Sequence, residues 1–163
     1  MAKARELHYY DYVNRPYAAV KDALVADALG VFQRATSSAA ARADSVGTQL
    51  RVQIGALAVG ADIDVQVTSV EETTAFGATA TRLGLAWKAV RRPELFPTMQ
   101  GTLTVYALSA QETQLDFEGT YQPPLGPVGG ILDAMVGHRL AEAAVHRFVE
   151  DIAGWLRGNL PAA

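Results

Sequence analysis

The chain has 163 residues, 50% of them hydrophobic, with 14 Lys and Arg against 17 Asp and Glu, a formal net charge of -3 and a pI near 5.6. That is the size of one ordinary domain with apolar surface enough for a single core, so residues 1–163 are read as one domain. Scattered basic residues exclude the patch that a phosphate backbone needs, and with it nucleic acid as a partner, while the lack of cysteine excludes disulfides, thiolate nucleophiles and sulfur-ligated metals.

Met1 to Glu6 is charged and runs into His8 and Tyr9 rather than an apolar stretch, so no signal peptide is expected and the resting expectation is a cytoplasmic protein. No apolar run reaches the length of about 18 residues that a spanning helix needs, which argues against membrane insertion. Leu7 to Val13, rich in Tyr, predicts a strand ending at Asn14-Arg15-Pro16. Proline at a first helical position then starts an amphipathic helix over Tyr17 to Leu29. Gly30 punctuates, and Val31 to Ala43 predicts a short second helix.

From Leu50 the period changes to two. Leu50, Val52 and Ile54 alternate with Arg51 and Gln53, and Ile63, Val65 and Val67 alternate with Asp62, Asp64 and Gln66. Gly55 to Gly60 is the expected turn between them, and Ser69 to Gly77, with Glu71-Glu72-Thr73-Thr74, the next break. Leu83, Leu85 and Trp87, then Leu103 and Val105, then Leu115, Phe117 and Tyr121 share one parity, giving a meander of about six strands. Gln122 to Gly130, with Pro123, Pro124 and Pro127, cannot continue a sheet. Ile131 to Arg157 contains no proline and predicts one long helix. Its apolar residues recur every four positions, so the stripe creeps around the cylinder: the second half reads as core, and the first half, Ile131 to about Leu140, as the border of any cavity. The order strand, two short helices, meander, long helix predicts an α+β helix-grip fold, a curved antiparallel sheet wrapped around the C-terminal helix.

The stretch Leu115-Asp116-Phe117-Glu118-Gly119-Thr120-Tyr121-Gln122-Pro123-Pro124-Leu125-Gly126, leading into Asp133, Arg139 and an apolar helix, resembles the START-like superfamily, also called SRPBCC or Bet v 1-like. Tyr12-Val13-Asn14-Arg15-Pro16-Tyr17 is similar to that family's first strand running into its first helix. The closest likeness is to the polyketide cyclase/dehydrase-like bacterial members, and it covers nearly the whole chain. The resemblance implies a deep cavity between sheet and long helix for an apolar molecule such as a lipid, sterol or polyketide. It supplies no catalytic residue that maps onto this chain.

The expected cavity lining is Leu85, Trp87, Phe96, Met99, Leu103, Val105, Phe117 and Tyr121 from the sheet side, and Leu132, Met135, Val136, Arg139 and Leu140 from the helix. The same strand residues serve equally as plain core, and both readings stay open at this stage. Trp87 and Tyr121 join large apolar bodies to single polar groups, suited either to orienting a ligand's polar end or to a structural hydrogen bond. Phe96 and Met99, beside Pro93 and Pro97, line an entrance or plug the core. Arg139 either meets an anionic ligand group at the cavity mouth or pairs with Glu142 on the surface.

His138, Glu142 and His146 do not form a shared zinc site, because eight residues of helix separate the two imidazoles by roughly 12 Å. Asp62, Asp64, Asp116 and Glu118 have outward parity and read as solvated carboxylates. Glycine-rich nucleotide loops, H-E-x-x-H and G-x-S-x-G are missing from the sequence. The expected function is carriage of an apolar small molecule without cofactor or metal, by a monomer or homodimer. An aromatase/cyclase-type enzyme, with Tyr121 or Arg139 assisting proton transfer, and a protein-interaction domain are the alternatives.

Overall fold

The computed structural model describes residues 4–42, 49–54, 57–89, 98–122 and 134–162, with the backbone alone at 37–42, 49–54, 57–64, 88–89, 134–138 and 140. Strand β1 (Arg5–Val13) leads into helix α1 (Tyr17–Arg42), followed by β2 (Gln49–Ile54), β3 (Leu57–Ala75), β4 (Ala78–Ala89), β5 (Thr98–Ser109), β6 (Glu112–Gln122) and α2 (Ala134–Asn159). The six strands form one antiparallel sheet in the order β1-β6-β5-β4-β3-β2. Helix α2 packs against β1, β2 and β6 and against α1, so the sheet grips it as expected.

The two predicted N-terminal helices run on as one element with a break at Asp27, whose φ of -161° and ψ of 68° are not helical. The break therefore falls three residues before the expected punctuation at Gly30. Asp27 is the cap: its Oδ1 accepts from the Gly30 N–H at 3.0 Å, satisfying a donor of the second helix's first turn. Glycine at 30 follows from this cap, since a Cβ there would lie 1.9 Å from the Asp27 Oδ2.

Two expected turns are shorter than predicted. Leu57 pairs directly with Ile54, so residues 57–60 of the expected Gly55–Gly60 turn already belong to β3. Glu71-Glu72-Thr73-Thr74 is likewise strand, opposite Arg82, Thr81, Ala80 and Thr79 of β4, and Glu71 meets Arg82 as an opposite-charge pair of register partners. The reversal is confined to Phe76 and Gly77, both with positive φ (53° and 77°), as a two-residue hairpin turn requires. Curvature enters through register shifts at Val67/Ser69 in β3 and Ala107/Ser109 in β5.

One end of the grip is clasped by two arginines. Arg15 donates from Nε to the Leu160 carbonyl at 2.8 Å and from Nη2 to the Arg157 carbonyl, closing the last turn of α2, while its own carbonyl accepts from Thr113 Oγ1 at 2.8 Å. Arg157 reciprocates from α2 onto β1, with Nη2 2.9 Å from Asp11 Oδ1 and Nε 3.1 Å from the Tyr12 carbonyl. Cationic groups at a helix C-terminus also complement its dipole. The C-terminal half of α2 is thus fixed to the β1–α1 corner. Among the described residues, no helix is long and apolar enough to cross a membrane.

Candidate functional site

Register and parity lay the inner face of the sheet out in rows. At the end away from the arginine clasp, Tyr121 pairs with Met99, Met99 with Trp87 and Trp87 with Val65, and Arg5 pairs with Tyr121 on β1. The next row is Leu7, Gly119, Gly101, Leu85 and Val67, and beyond it come Tyr9, Phe117, Leu103, Leu83 and Val70. Leu85, Trp87, Met99, Leu103, Val105, Phe117 and Tyr121 are all buried in one core with Phe148, Val149 and Ile152 of α2 and Val31 and Phe32 of α1.

The middle of the grip is filled by aromatic rings. Trp87 and Phe117 stack with centroids 5.8 Å apart and planes at 12°, and Phe148 meets Trp87 edge-on at 5.2 Å and Phe32 at 5.3 Å. The Phe117 ring reaches this position by lying across the glycine row. A Cβ at Gly101 would sit 2.3 Å from Phe117 Cζ, and one at Gly119 2.8 Å from Phe117 Cε1. The two glycines are therefore the bed of a ring, which strand parity alone does not reveal.

Tyr121 has a side-chain partner. Arg5 of β1 hydrogen-bonds its hydroxyl, with Glu142 of α2 close enough to act on it electrostatically. Burial pushes the phenol above its ordinary pKa, Glu142 adds to the rise, and the guanidinium only partly offsets it, so Tyr121 remains a neutral donor. This brings the Arg5 guanidinium, and the field of Glu142, to the Trp87–Met99–Tyr121 row. A hollow of about 310 Å³ at the same end of the sheet touches Trp87 and Met99 but is lined mainly from the outer face, by Gln66, Ala86, Thr98, Gln100, Thr120 and Gln122, and so is not the space between sheet and helix.

Arg139 is exposed on α2, about 200° around the helix from the buried Ala141, and so lies off the face that packs on the sheet. Phe96 and Leu132 lie outside the described residues, and so do the side chains of Met135, Val136 and Leu140, whose backbone falls within α2. His146 stacks on Tyr9 at 3.8 Å, and the Tyr9 hydroxyl donates to Glu150 Oε1 at 3.0 Å, an edge contact between β1 and α2. Asp116, expected to be solvated, is buried on the outer face because His8 of β1 folds over it, Nε2 2.7 Å from Oδ1. Sequence reasoning missed Arg5 and His8, for which the signal is the β1–β6 register, and read Glu142 only as a surface partner of Arg139.

No protein-family model matches the sequence, and no curated protein matches it. By structure, the chain is similar to a conserved protein from Geobacillus kaustophilus, with a TM-score of 0.52 and 14% identity over 94% of this chain and 96% of that one. It is similar to Ara h 8.0201 with a TM-score of 0.51 and 12% identity over 96% of this chain and all of that one, 100%. The Zhui aromatase/cyclase from Streptomyces sp. R1128 aligns over 93% of each chain at 16% identity, with a TM-score of 0.48. The feature shared with the first two is the helix-grip fold.

Proposed function

We propose that the domain binds a small apolar molecule at the open end of the grip, against the row formed by Trp87, Met99 and Tyr121, with the Tyr121 hydroxyl and Arg5 receiving its polar end. The observation that carries this reading is the placement of a neutral, buried phenol and its guanidinium partner on an otherwise apolar row. Apolar ligands gain about 25 cal/mol for each Å² removed from water, and a few well-placed polar groups fix their orientation. At the opposite end the arginine clasp occupies the space between helix and sheet, and in the middle the Trp87–Phe117–Phe148 cluster does.

The test uses Trp155→Phe, which leaves Trp87 as the sole tryptophan. Titration with anilinonaphthalene sulfonate and with a long-chain fatty acid is expected to change Trp87 emission saturably, and Tyr121→Phe to weaken binding of the acid more than that of a matching hydrocarbon. Native mass spectrometry of the purified protein then identifies the molecule retained. Emission that responds to neither probe, with nothing co-purifying, would overturn the proposal.

A second reading is aromatase/cyclase-type catalysis in the same place. It is favoured by Tyr121 and Arg5, where a phenol held neutral beside a cation is equipped to donate a hydrogen bond to a bound carbonyl as negative charge develops on its oxygen. Loss of turnover with retained binding in Tyr121→Phe distinguishes it from simple carriage.

A further inference from the structure

The outer face of the sheet, which the grip does not use, carries a cluster of a different chemistry. His8 of β1 lies directly opposite Glu118 of β6, and Asp116 is two residues along β6 on the same face. Their ligand atoms, one imidazole nitrogen and two carboxylate oxygens, all lie within 4.8 Å of one another. The paired strands hold all three, so their spacing is set by the backbone ladder rather than by a loop.

The three positions differ in exposure in a way that suits a metal. Asp116 is the anchor, its side chain 9% exposed and already touched by His8, whose own side chain is 53% exposed. Glu118 is exposed and closes the triangle from the solvent side. Two carboxylates at this separation repel each other; a divalent cation between them removes the repulsion and takes the imidazole nitrogen as a third donor. Next to the triangle is an open hollow of about 970 Å³, whose lining includes His8, Glu118, Thr68, Ser69, Thr102 and Gly84. The hollow leaves room for coordination positions not filled by protein, and its hydroxyls are suited to hydrogen-bond whatever fills them.

We propose that His8, Asp116 and Glu118 form a divalent transition-metal site on the outer face of the sheet, of the mixed imidazole and carboxylate type that takes zinc, with its free coordination positions turned to the hydroxyl-lined hollow. Imidazole nitrogen and carboxylate oxygen are both donor types that zinc takes, although the site has one nitrogen fewer than the two-histidine, one-glutamate zinc set. The site lies on the opposite face from the proposed apolar ligand end, so either reading can fail without the other.

The experiment is a titration of the full, chelator-dialysed chain with zinc alone, followed by calorimetry and by melting temperature, and with cobalt for its visible spectrum. One ion per chain is expected, with a melting temperature raised by roughly 5–10 °C at a hundredfold excess over Kd. His8→Gln, which keeps a polar partner for Asp116 but removes the imidazole, and Glu118→Gln are each expected to weaken binding at least about tenfold, while His146→Ala leaves it unchanged. Circular dichroism confirms that the variants are folded. No stoichiometric binding up to millimolar zinc, or binding lost in His146→Ala and kept in His8→Gln, would overturn the proposal and leave His8–Asp116 as a plain hydrogen bond.

Discussion

Gly101→Ala should destabilise the domain chiefly through one ring. The added Cβ would fall 2.3 Å from Phe117 Cζ and 2.8 Å from Cε2, against the roughly 3.5–4.0 Å at which carbons rest, so the ring must retreat by more than about 1 Å. It has little freedom to do so, because its other face stacks on Trp87, which is itself held edge-on by Phe148. Overpacking of this kind costs about 1–3 kcal/mol. Phe117→Ala alone empties the same space and costs about 3–5 kcal/mol, a shift on the order of 10 °C in melting temperature for a domain of this size. In the double variant the clash with the ring has gone, and the next nearest atom is the Glu118 carbonyl oxygen, 3.0 Å from the new Cβ. Gly101→Ala is then expected to be nearly neutral, giving a coupling of about 1–3 kcal/mol between the two sites. Urea denaturation of the four proteins, followed by far-ultraviolet circular dichroism, measures the cycle. Additivity within about 0.5 kcal/mol would refute the account of the glycines as the bed of Phe117.

Asp27→Ala removes the cap at the break in α1 and is expected to cost about 1 kcal/mol, with hydrogen exchange accelerated at Ala28 to Gly30 before the rest of the helix. Arg15→Ala should cost about 1–3 kcal/mol by freeing the carbonyls of Arg157 and Leu160, and Arg15→Lys should recover only part of it, since an ammonium cannot fork between them; chemical denaturation of the pair settles it. Stability should also fall at alkaline pH. Burial, followed by the hydrogen bond to Glu150, pushes the Tyr9 phenol up to about 12. The folded chain therefore holds this proton more tightly than the unfolded one, whose phenol titrates near pH 10. The contribution is complete below about pH 10 and is lost as pH rises through about 12. Tyr9→Phe is expected to flatten that limb of the urea-midpoint curve in part, with Tyr106 and Tyr121, raised in the same direction by burial, supplying the remainder. An unchanged alkaline slope in Tyr9→Phe would count against the assignment.

Strands with one dry face were legible because alternation reports parity directly: Leu83, Leu85 and Trp87, or Leu115 and Phe117, point inward as their spacing says. Segments without alternation were not. Ala58 to Ala61 offers no contrast between faces, and Glu71 to Thr74 reads as polar punctuation until Arg82 and Thr81 are set opposite it. The interruption of α1 was sensed at Gly30 but belongs to Asp27, because the glycine is a consequence of the cap. At the candidate site, apolar burial at Trp87, Met99 and Tyr121 could be read from the strands. Arg5 could not, since it reaches Tyr121 only through pairing of the first strand with the last. The same pairing hides His8 beside Asp116, 108 residues apart in sequence.

The clasp that ties α2 to β1 bears on how the domain is made. Asp11 and Arg157 are separated by 146 residues, and β1 finds its sheet partner only in β6. A ribosome releasing the domain from its N-terminal end thus holds a first strand with nothing to pair with until nearly all the rest has emerged. Closure of so long a loop is slow and leaves apolar strands uncovered meanwhile. A version permuted to begin at β2, with β1 and α1 following α2, would shorten that wait, and its yield of soluble protein on rapid synthesis is a direct measure of how much the long-range closure costs the cell.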